Sequence, residues 1–402
     1  MLELFGKYAS AKVFSDLVGE NAVSQIIELC SSEVAKGSKI RIMPDVHAGK
    51  GCTIGTTMTV TDKAIPNVVG VDIGCGMETV ILDEENIEFK KLDDLIRARI
   101  PSGTSIRNSA HSQLSRIDLK ALNCFEEIDY PRATKSVGTL GGGNHFIEVD
   151  RDDDGRLYLV IHSGSRNLGL QVANYYQAEA YAKLNNSTKA DLKILAMTLA
   201  AQGAKNSEIK REVKKCAATK TTDIPRHMAY CEGELFDAYL HDIAIVQRFA
   251  DLNRKAMVEE IVNGLSLKVS GSFTTIHNYI DVETKILRKG AISAEKGEKV
   301  LIPMNMRDGS LICVGKGNEE WNCSAPHGAG RLFSRSDAKK AFTLEEYEAE
   351  MQGIYSTSIH LSTIDESPMA YKPMDDIIKN VEPTVDIEKI IKPLYNFKAA
   401  GA

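Results

Sequence analysis

The sequence predicts a mixed α/β fold with central β-sheets and surrounding helices. Three observations predict it. Residues 40–82 are rich in Gly, Val and Ile and read as short buried strands broken by glycine turns. From about 170 to 262 the pattern becomes helical. Residues 267–315 return to β patterning. We read residues 1–402 as one catalytic domain, with 170–262 as a helical insertion within it.

The elements follow in order. Residues 1–40 combine a short strand pattern with an amphipathic helix, "AVSQIIELCSSEVAKG", ended by Gly37. The stretches "IRIMPDVHAGKGCTIGTTMTV" (40–60) and "PNVVGVDIGCGMETVIL" (66–82) supply the first strands. A helix is expected at about 90–99. "LYLVIHSGSR", 157–166, is a buried strand running into a polar turn. The helical stretch contains the Lys-rich segment "NSEIKREVKKC", 206–216. "SAPHGAGR", 324–331, reads as a polar loop, and a last helix is expected at 343–353. The tail "KPLYNFKAAGA" reads as extended. No repeat or low-complexity linker interrupts the chain.

With 43% hydrophobic residues, the chain can build a sizeable core. Its formal net charge of −6 gives no global attraction to nucleic acid or membranes, so any polyanion site must be local. The eight cysteines are scattered, as reduced thiols in a cytoplasmic protein would be. The N-terminus lacks a signal-peptide pattern. The apolar stretch "LKILAMTLAA", 192–201, is too short to span a bilayer.

Chemistry concentrates in a few glycine-rich stretches. In "GVDIGCGM", Asp72 and Cys75 lie three apart in a tight turn. A thiolate can bridge two metal ions and a carboxylate can anchor one. The bland reading is a small buried Cys beside an Asx turn. Four of the nine histidines sit in comparable turns: His145 in "GGGNHFIEV", His162 in "HSGSRNLG", His277 in "TTIHNYID" and His327 in "PHGAGR". Such mixed O, S and N donors suit Zn²⁺ or Mn²⁺ better than Mg²⁺ or Ca²⁺. No CxxC pair marks a structural zinc site. Arg166, Arg331 and Arg335 stand near the histidines and suit phosphate. GxxxxGK[ST] and GxGxxG are both missing, which excludes a P-loop and a Rossmann reading.

Taken together, "MPDVHAGKGCTIG", "GVDIGCGM", "GTLGGGNHFIEV", "HSGSRNLG" and "HGAGR" resemble the RtcB family of RNA-splicing ligases, in order, from residue 40 onward. The resemblance implies an RNA ligase with a fold of its own. Such an enzyme joins a 2′,3′-cyclic phosphate or 3′-phosphate end to a 5′-hydroxyl end, using GTP and two Mn²⁺ ions. His327 would be the nucleophile that becomes His–GMP, oriented by Asp45. Cys75 would bridge both metals, with His145 completing one site and Asp72, His162 and His277 the other. Asn144 would touch the phosphate–ribose region and Glu148 the guanine edge. Tyr371 would stack on the base and Lys398 would contact guanine. Gly328, Ala329 and Gly330 of "HGAGR" would line the nucleotide. Arg166, Arg331 and Arg335 would bind phosphates. RNA is the implied partner, with an archease-type activator as a second.

This chain departs from the family in "IPMNMRDGS", 302–310. Asn305 stands where a nucleotide-contacting Ser is common, and Ser310 matches a second one. Pro326 directly precedes His327. These changes bear on the nucleotide pocket and not on the metal ligands. Strand alternation places Asn144, Phe146 and Glu148 on one face and His145 on the other. Two rival readings stand beside the ligase. One is a metal-dependent phosphoesterase acting on nucleic-acid ends. The other is a non-catalytic RNA-binding protein using the Lys-rich 206–216 stretch, which otherwise reads as a solvated helix face.

Overall fold

A computed structural model describes residues 2–15 and 18–399. The architecture is mixed α/β, as expected, and rests on two large sheets. One has seven strands in the order 269–276, 76–82, 157–163, 146–151, 385–398, 309–315 and 299–305, each antiparallel to its neighbours. The other has six, in the order 2–5, 10–13, 40–47, 54–59, 286–289 and 278–280. It is mixed, because Ser10–Val13 runs parallel to Ile40–His47.

The seven-stranded sheet explains its own sequence pattern. Ile147, Val149, Leu159 and Ile161 alternate onto one face and pack against Leu92, Ile96, Met257 and Ile261 of two covering helices. Those helices are Phe89–Arg99 and Glu234–Leu265. The opposite face carries Phe146, Tyr158 and Val160 against Leu301, Ile312 and Ile391.

Local differences from the sequence reading have local causes. The first helix is Glu20–Cys30 and does not run on to Gly37. The Ser31–Ser32 pair breaks it, because the Ser32 hydroxyl accepts from Val34 N–H and starts a separate 3₁₀ turn. The stretch 170–262 holds four helices: Arg166–Leu184, Lys189–Ala201, Asn206–Ala218 and Glu234–Leu265. An irregular segment with the two-residue strand Cys231–Glu232 precedes the last. Ser324–Pro326 is a strand before the polar loop, paired with Ala291–Ser293. The 343–353 helix is Leu344–Glu350. The extended tail is the end of strand Val385–Lys398, and residues 400–402 lie outside the described residues. No described helix is long and apolar enough to cross a membrane.

The long helix does more than cover the sheet. Asn253 and Arg254 are fully buried on it. Asn253 Oδ1 accepts from Gly138 N–H at 2.8 Å and Thr139 N–H at 3.0 Å. Its Nδ2 donates to Ser163 Oγ at 3.1 Å and Gly164 O at 3.0 Å. Arg254 donates to Gly74 O at 2.8 Å and Ser163 O at 2.9 Å. One helical turn thus grips three separate loops by their backbone. Asn253→Ala leaves several buried groups unpaired and should destabilise by about 2–4 kcal/mol, read by chemical denaturation. A loss below about 1 kcal/mol would show that water replaces the amide, against this account.

Candidate active site

Antiparallel pairing brings four donors to one end of one sheet. Cys75 directly precedes strand Gly76–Leu82 and His145 directly precedes strand Phe146–Arg151. His162 ends strand Leu157–Ser163, and His277 directly follows strand Val269–Ile276. The register sets Gly76 opposite both Ser163 and Ile276, and Phe146 opposite His162. Residues distant in sequence therefore meet without any local motif joining them.

The donors form two groups sharing Cys75: Asp72, Cys75 and His145, and Cys75, His162 and His277, with ligand atoms within 4.8 Å in each. In this grouping Asp72 stands with His145, where the resemblance implied a place beside His162 and His277. Asp72 Oδ2 lies 3.0 Å from His145 Nε2. Its other oxygen accepts from Ser165 N–H at 2.9 Å. A Cβ at Gly164 would stand 2.2 Å from that oxygen, so only glycine fits there.

The protons show whether metal ions fit. His145 Nδ1 donates to Leu140 O at 2.9 Å and His162 Nδ1 to Asn144 O at 3.0 Å. With Nδ1–H so engaged, Nε2 of each ring is the nitrogen that faces the cluster. These meet Cys75 Sγ at 3.4 Å and 3.3 Å. Two imidazole lone pairs and the Asp72 carboxylate are acceptors, and the thiol proton can serve one. Burial pushes the pKa of His162 and His277 well below the ordinary value, and their Nε2 atoms face each other at 3.2 Å. Burial and the Asp72 charge push the Cys75 thiol up. A cation in each group resolves the clash and stabilises the thiolate.

His277 also links this cluster to the nucleophile candidate. Its ring centroid lies 4.8 Å from that of His327. His327 Nδ1 donates to Asp45 Oδ2 at 2.6 Å, and its backbone N–H reaches the same oxygen at 3.2 Å. Asp45 is fully buried on strand Ile40–His47. Nε2 of His327 is therefore its free nitrogen, and the residue lines a cavity of about 260 Å³.

That cavity gathers most of the expected nucleotide residues: Asn144, Glu148, Asn305, Gly328, Ala329, Gly330, Tyr371 and Lys398, with Arg331 and Arg335. Phe146 lines it and His145 does not, as strand alternation requires. Ser310 does not line it. It is fully buried in strand Gly309–Gly315, and its hydroxyl has no partner among the described residues. Asn305 lines it while its side chain holds the turn, bonded to Asp308 Oδ2 at 2.8 Å and to the backbone N–H of Arg307 and Asp308. Arg166 lies elsewhere, in a second cavity of about 490 Å³ with Asp72, Gly142, Gly143, Arg132 and Lys339. Arg335 lines both cavities.

Three groups escaped the sequence reading. Glu366 is a buried hub: it pairs with Lys398 at 2.8 Å, Arg335 at 2.5 Å and Arg331 at 3.4 Å, and accepts from Tyr371 OH at 2.7 Å. Burial alone would push its carboxyl up, but Lys398 and Arg335 hold it well below the usual range. Arg331 also donates to Asp365 O at 2.6 Å and Phe333 O at 3.0 Å, so its donors are occupied by protein. No local pattern in "STIDESP" announces such a hub. His47 lines the first cavity two residues from Asp45, which strand alternation could have flagged. Asn253 and Arg254 interrupt an apolar helix face, a signal that was present and passed over.

Fold and site together define a mixed α/β protein with a Cys, His and Asp cluster that could hold metal beside a carboxylate-oriented histidine. Comparison with known proteins agrees. The model of the family described as tRNA-splicing ligase RtcB matches residues 31–129 and 112–399. RNA-splicing ligase RtcB of Escherichia coli K12 is 33% identical over 391 residues, covering 87% of this chain and 87% of its own. The tRNA-splicing ligase RtcB of Aeropyrum pernix is 27% identical over 419 residues, covering 84% and 82%. RNA-splicing ligase RtcB2 of Escherichia coli ATCC 25922 is 24% identical over 368 residues, covering 84% and 81%. The chain belongs to the RtcB family of RNA-splicing ligases.

The donor grouping yields a stoichiometry test. With a divalent cation bound in each group, Asp72→Ala and His145→Ala should each cost the ion of one group, and His162→Ala and His277→Ala the ion of the other. Cys75→Ala should lose both. Metal analysis after desalting reads this, and two ions retained by Cys75→Ala would end the bridging role.

Proposed function

We propose that this RNA ligase joins RNA 3′-phosphate or 2′,3′-cyclic phosphate ends to 5′-hydroxyl ends, using GTP and two Mn²⁺ ions through a His327–GMP intermediate. The observation that carries the proposal is the Asp45–His327 pair opening on a cavity beside the donor cluster. Nδ1–H held by Asp45 leaves Nε2 free to attack phosphorus, and the carboxylate offsets the positive charge that develops on the ring. Nε2 would attack the α-phosphorus of GTP, forming a P–N bond as pyrophosphate leaves. A cyclic phosphate would first be opened by water to the 3′-phosphate. An oxygen of the RNA 3′-phosphate would then attack the GMP phosphorus and break that bond. The 5′-hydroxyl would finally attack the 3′-phosphorus, losing its proton and expelling GMP. Asp72, Cys75, His145, His162 and His277 would hold the metals, which when bound neutralise phosphate charge.

The remaining residues take roles that suit their places. Lys398 and Glu148 lie on adjacent strands on the cavity side, with Lys398 opposite Phe146 and Asn396 opposite Glu148. An ionised Glu148 can accept from guanine N1–H and N2–H together, which adenine cannot offer. Asn144 would meet the phosphate–ribose region and Tyr371 the base. Arg132, Arg166, Arg335 and Lys339 give the second cavity a cationic lining suited to RNA phosphates. The eight cysteines are all free, which supports a cytoplasmic enzyme. An archease-type activator completes the set of partners.

His327→Ala should abolish the GMP adduct while keeping both metals, and the wild-type adduct should be acid-labile and alkali-stable. A labelled adduct surviving in the variant would place the nucleophile elsewhere. Glu148 supplies a pH test. Burial pushes its carboxyl up to about 7, against the pull of Lys398 and the Asn396 hydrogen bond. Asp150, on the same strand face, is pushed up by burial and by Glu148. Below about pH 7 Glu148 is protonated and loses an acceptor. KM for GTP should therefore rise as pH falls through that value, by up to about tenfold per unit. Glu148→Gln should flatten this dependence and narrow the preference for GTP over ATP. Unchanged discrimination with metals still bound would move guanine recognition off Glu148.

A further inference from the structure

The Lys-rich stretch remains outside the site just described. It lies on the second arm of a helical hairpin, Lys189–Ala201 and Asn206–Ala218, and neither helix has a buried residue. Residues 189–220 hold eight Lys and Arg against three Asp and Glu, while the whole chain has net charge −6. The rest of the surface therefore carries an acid excess, and the hairpin stands out as a local cationic projection. Among the described residues, Lys189 pairs with Glu127 and Arg211 with Glu212. Lys193, Lys210, Lys214 and Lys215 are exposed and form no ion pair among the described residues. A purely solvated helix face would more often balance its charges along the helix.

The hairpin is also held in place. Asn185, buried at its base, accepts from Thr221 N–H at 2.8 Å and donates to Tyr181 O at 2.8 Å. Thr221 Oγ1 donates to Leu184 O at 3.1 Å, so both ends of the projection are tied to one point. That point is the C-terminus of helix Arg166–Leu184, whose first residue lines the second cavity. At ~1.5 Å per residue the helix sets the hairpin roughly 27 Å from Arg166. An A-form RNA duplex rises somewhat less per step than the ~3.4 Å of B-DNA, so this distance is on the order of ten nucleotides.

We infer that the 189–218 hairpin docks the sugar–phosphate backbone of RNA on the order of ten nucleotides from the ends being joined. The inference rests on the RNA-ligase reading and deepens it. Phosphate contacts of this kind carry no sequence information, so the hairpin would select RNA by its extent beyond the break. A bare end would never reach it. Exposed Ile194 and Met197, on the first arm, leave a protein partner as the competing occupant.

The test combines Lys210→Ala, Arg211→Ala, Lys214→Ala and Lys215→Ala, since alanine preserves helix. Two substrate sets carry the same ends, one on arms of about five nucleotides and one on base-paired arms of about twenty. The variant should form the GMP adduct and seal the short set as the wild type does. KM for the long set should rise at least fivefold with kcat unchanged. Its binding should lose salt dependence by about 0.9 in log–log slope for each phosphate contact removed. Equal KM and salt slope for variant and wild type on the long set would overturn the inference and leave the face to a protein partner. Equal losses on both sets would overturn it too, by placing the effect at the active site. Wild-type protein that forms no adduct and seals neither set would sink the ligase reading instead. Direct binding of the long RNA without GTP still decides the hairpin in that case.

Discussion

The site depends on one buried grip: Asn253 and Arg254 holding backbone atoms of Gly138, Thr139, Gly74, Ser163 and Gly164. Those atoms belong to the three loops that present His145, Cys75 and His162. Loops alone do not hold ligands to within a few tenths of an ångström, and a rigid support must. A helix in the core supplies it because its side chains cannot move without opening a cavity. Arg254 adds a second effect. Its charge is buried with Cys75, Asp251 and Glu78 in range, so it lowers the cost of a thiolate beside it. The same residue therefore positions the loops and favours the ionised ligand.

The sheet end explains why such different residues converge. Four neighbouring antiparallel strands begin or end at one edge, and each contributes a donor at its terminus. Side-chain alternation then separates tasks within a single stretch. In "GGGNHFIEV", His145 turns toward Asp72 and Cys75 while Asn144, Phe146 and Glu148 line the cavity. The glycines make the turn possible. A Cβ at Gly141 would come 2.0 Å from Arg166 and 2.6 Å from His145, and the residue has φ of +91°. One short segment thus faces both the donor cluster and the cavity because a strand has two faces.

Much of this was legible in the sequence. Gly, Ser or Asn turns beside His and Cys marked the side chains that the fold gathers into one cluster, because a ligand needs open backbone nearby. The β, α, β order gave the fold class. The division of donors did not follow from spacing. Asp72 and Cys75 are three apart, yet which histidine Asp72 meets depends on the Ser165 turn and the empty space at Gly164. Ser310 shows the opposite limit. A motif position matched, but strand register buries that hydroxyl between Pro303 and Ile391 and keeps it off the cavity lining. The Glu366 hub was invisible for a related reason. Its three cations come from residues 331, 335 and 398, and only the folded chain brings them together.

Two buried carboxylates organise the two halves of the site by opposite means. Asp45 accepts from the His327 Nδ1–H and fixes the ring, leaving Nε2 toward the cavity. Glu366 meets two guanidinium groups and an ammonium, and fixes their position while cancelling part of their charge. Without Glu366, Arg331, Arg335 and Lys398 would repel one another across a small cavity. With it, the wall stays cationic enough for a polyphosphate yet is rigid before one arrives. Arg335 carries the consequence furthest, since it is anchored by Asp365 and Glu366 and lines both cavities. It therefore links the two cavities through one anchored guanidinium. Preorganised charge of this kind costs no rearrangement at the moment of reaction, which is why it favours the transition state over the ground state.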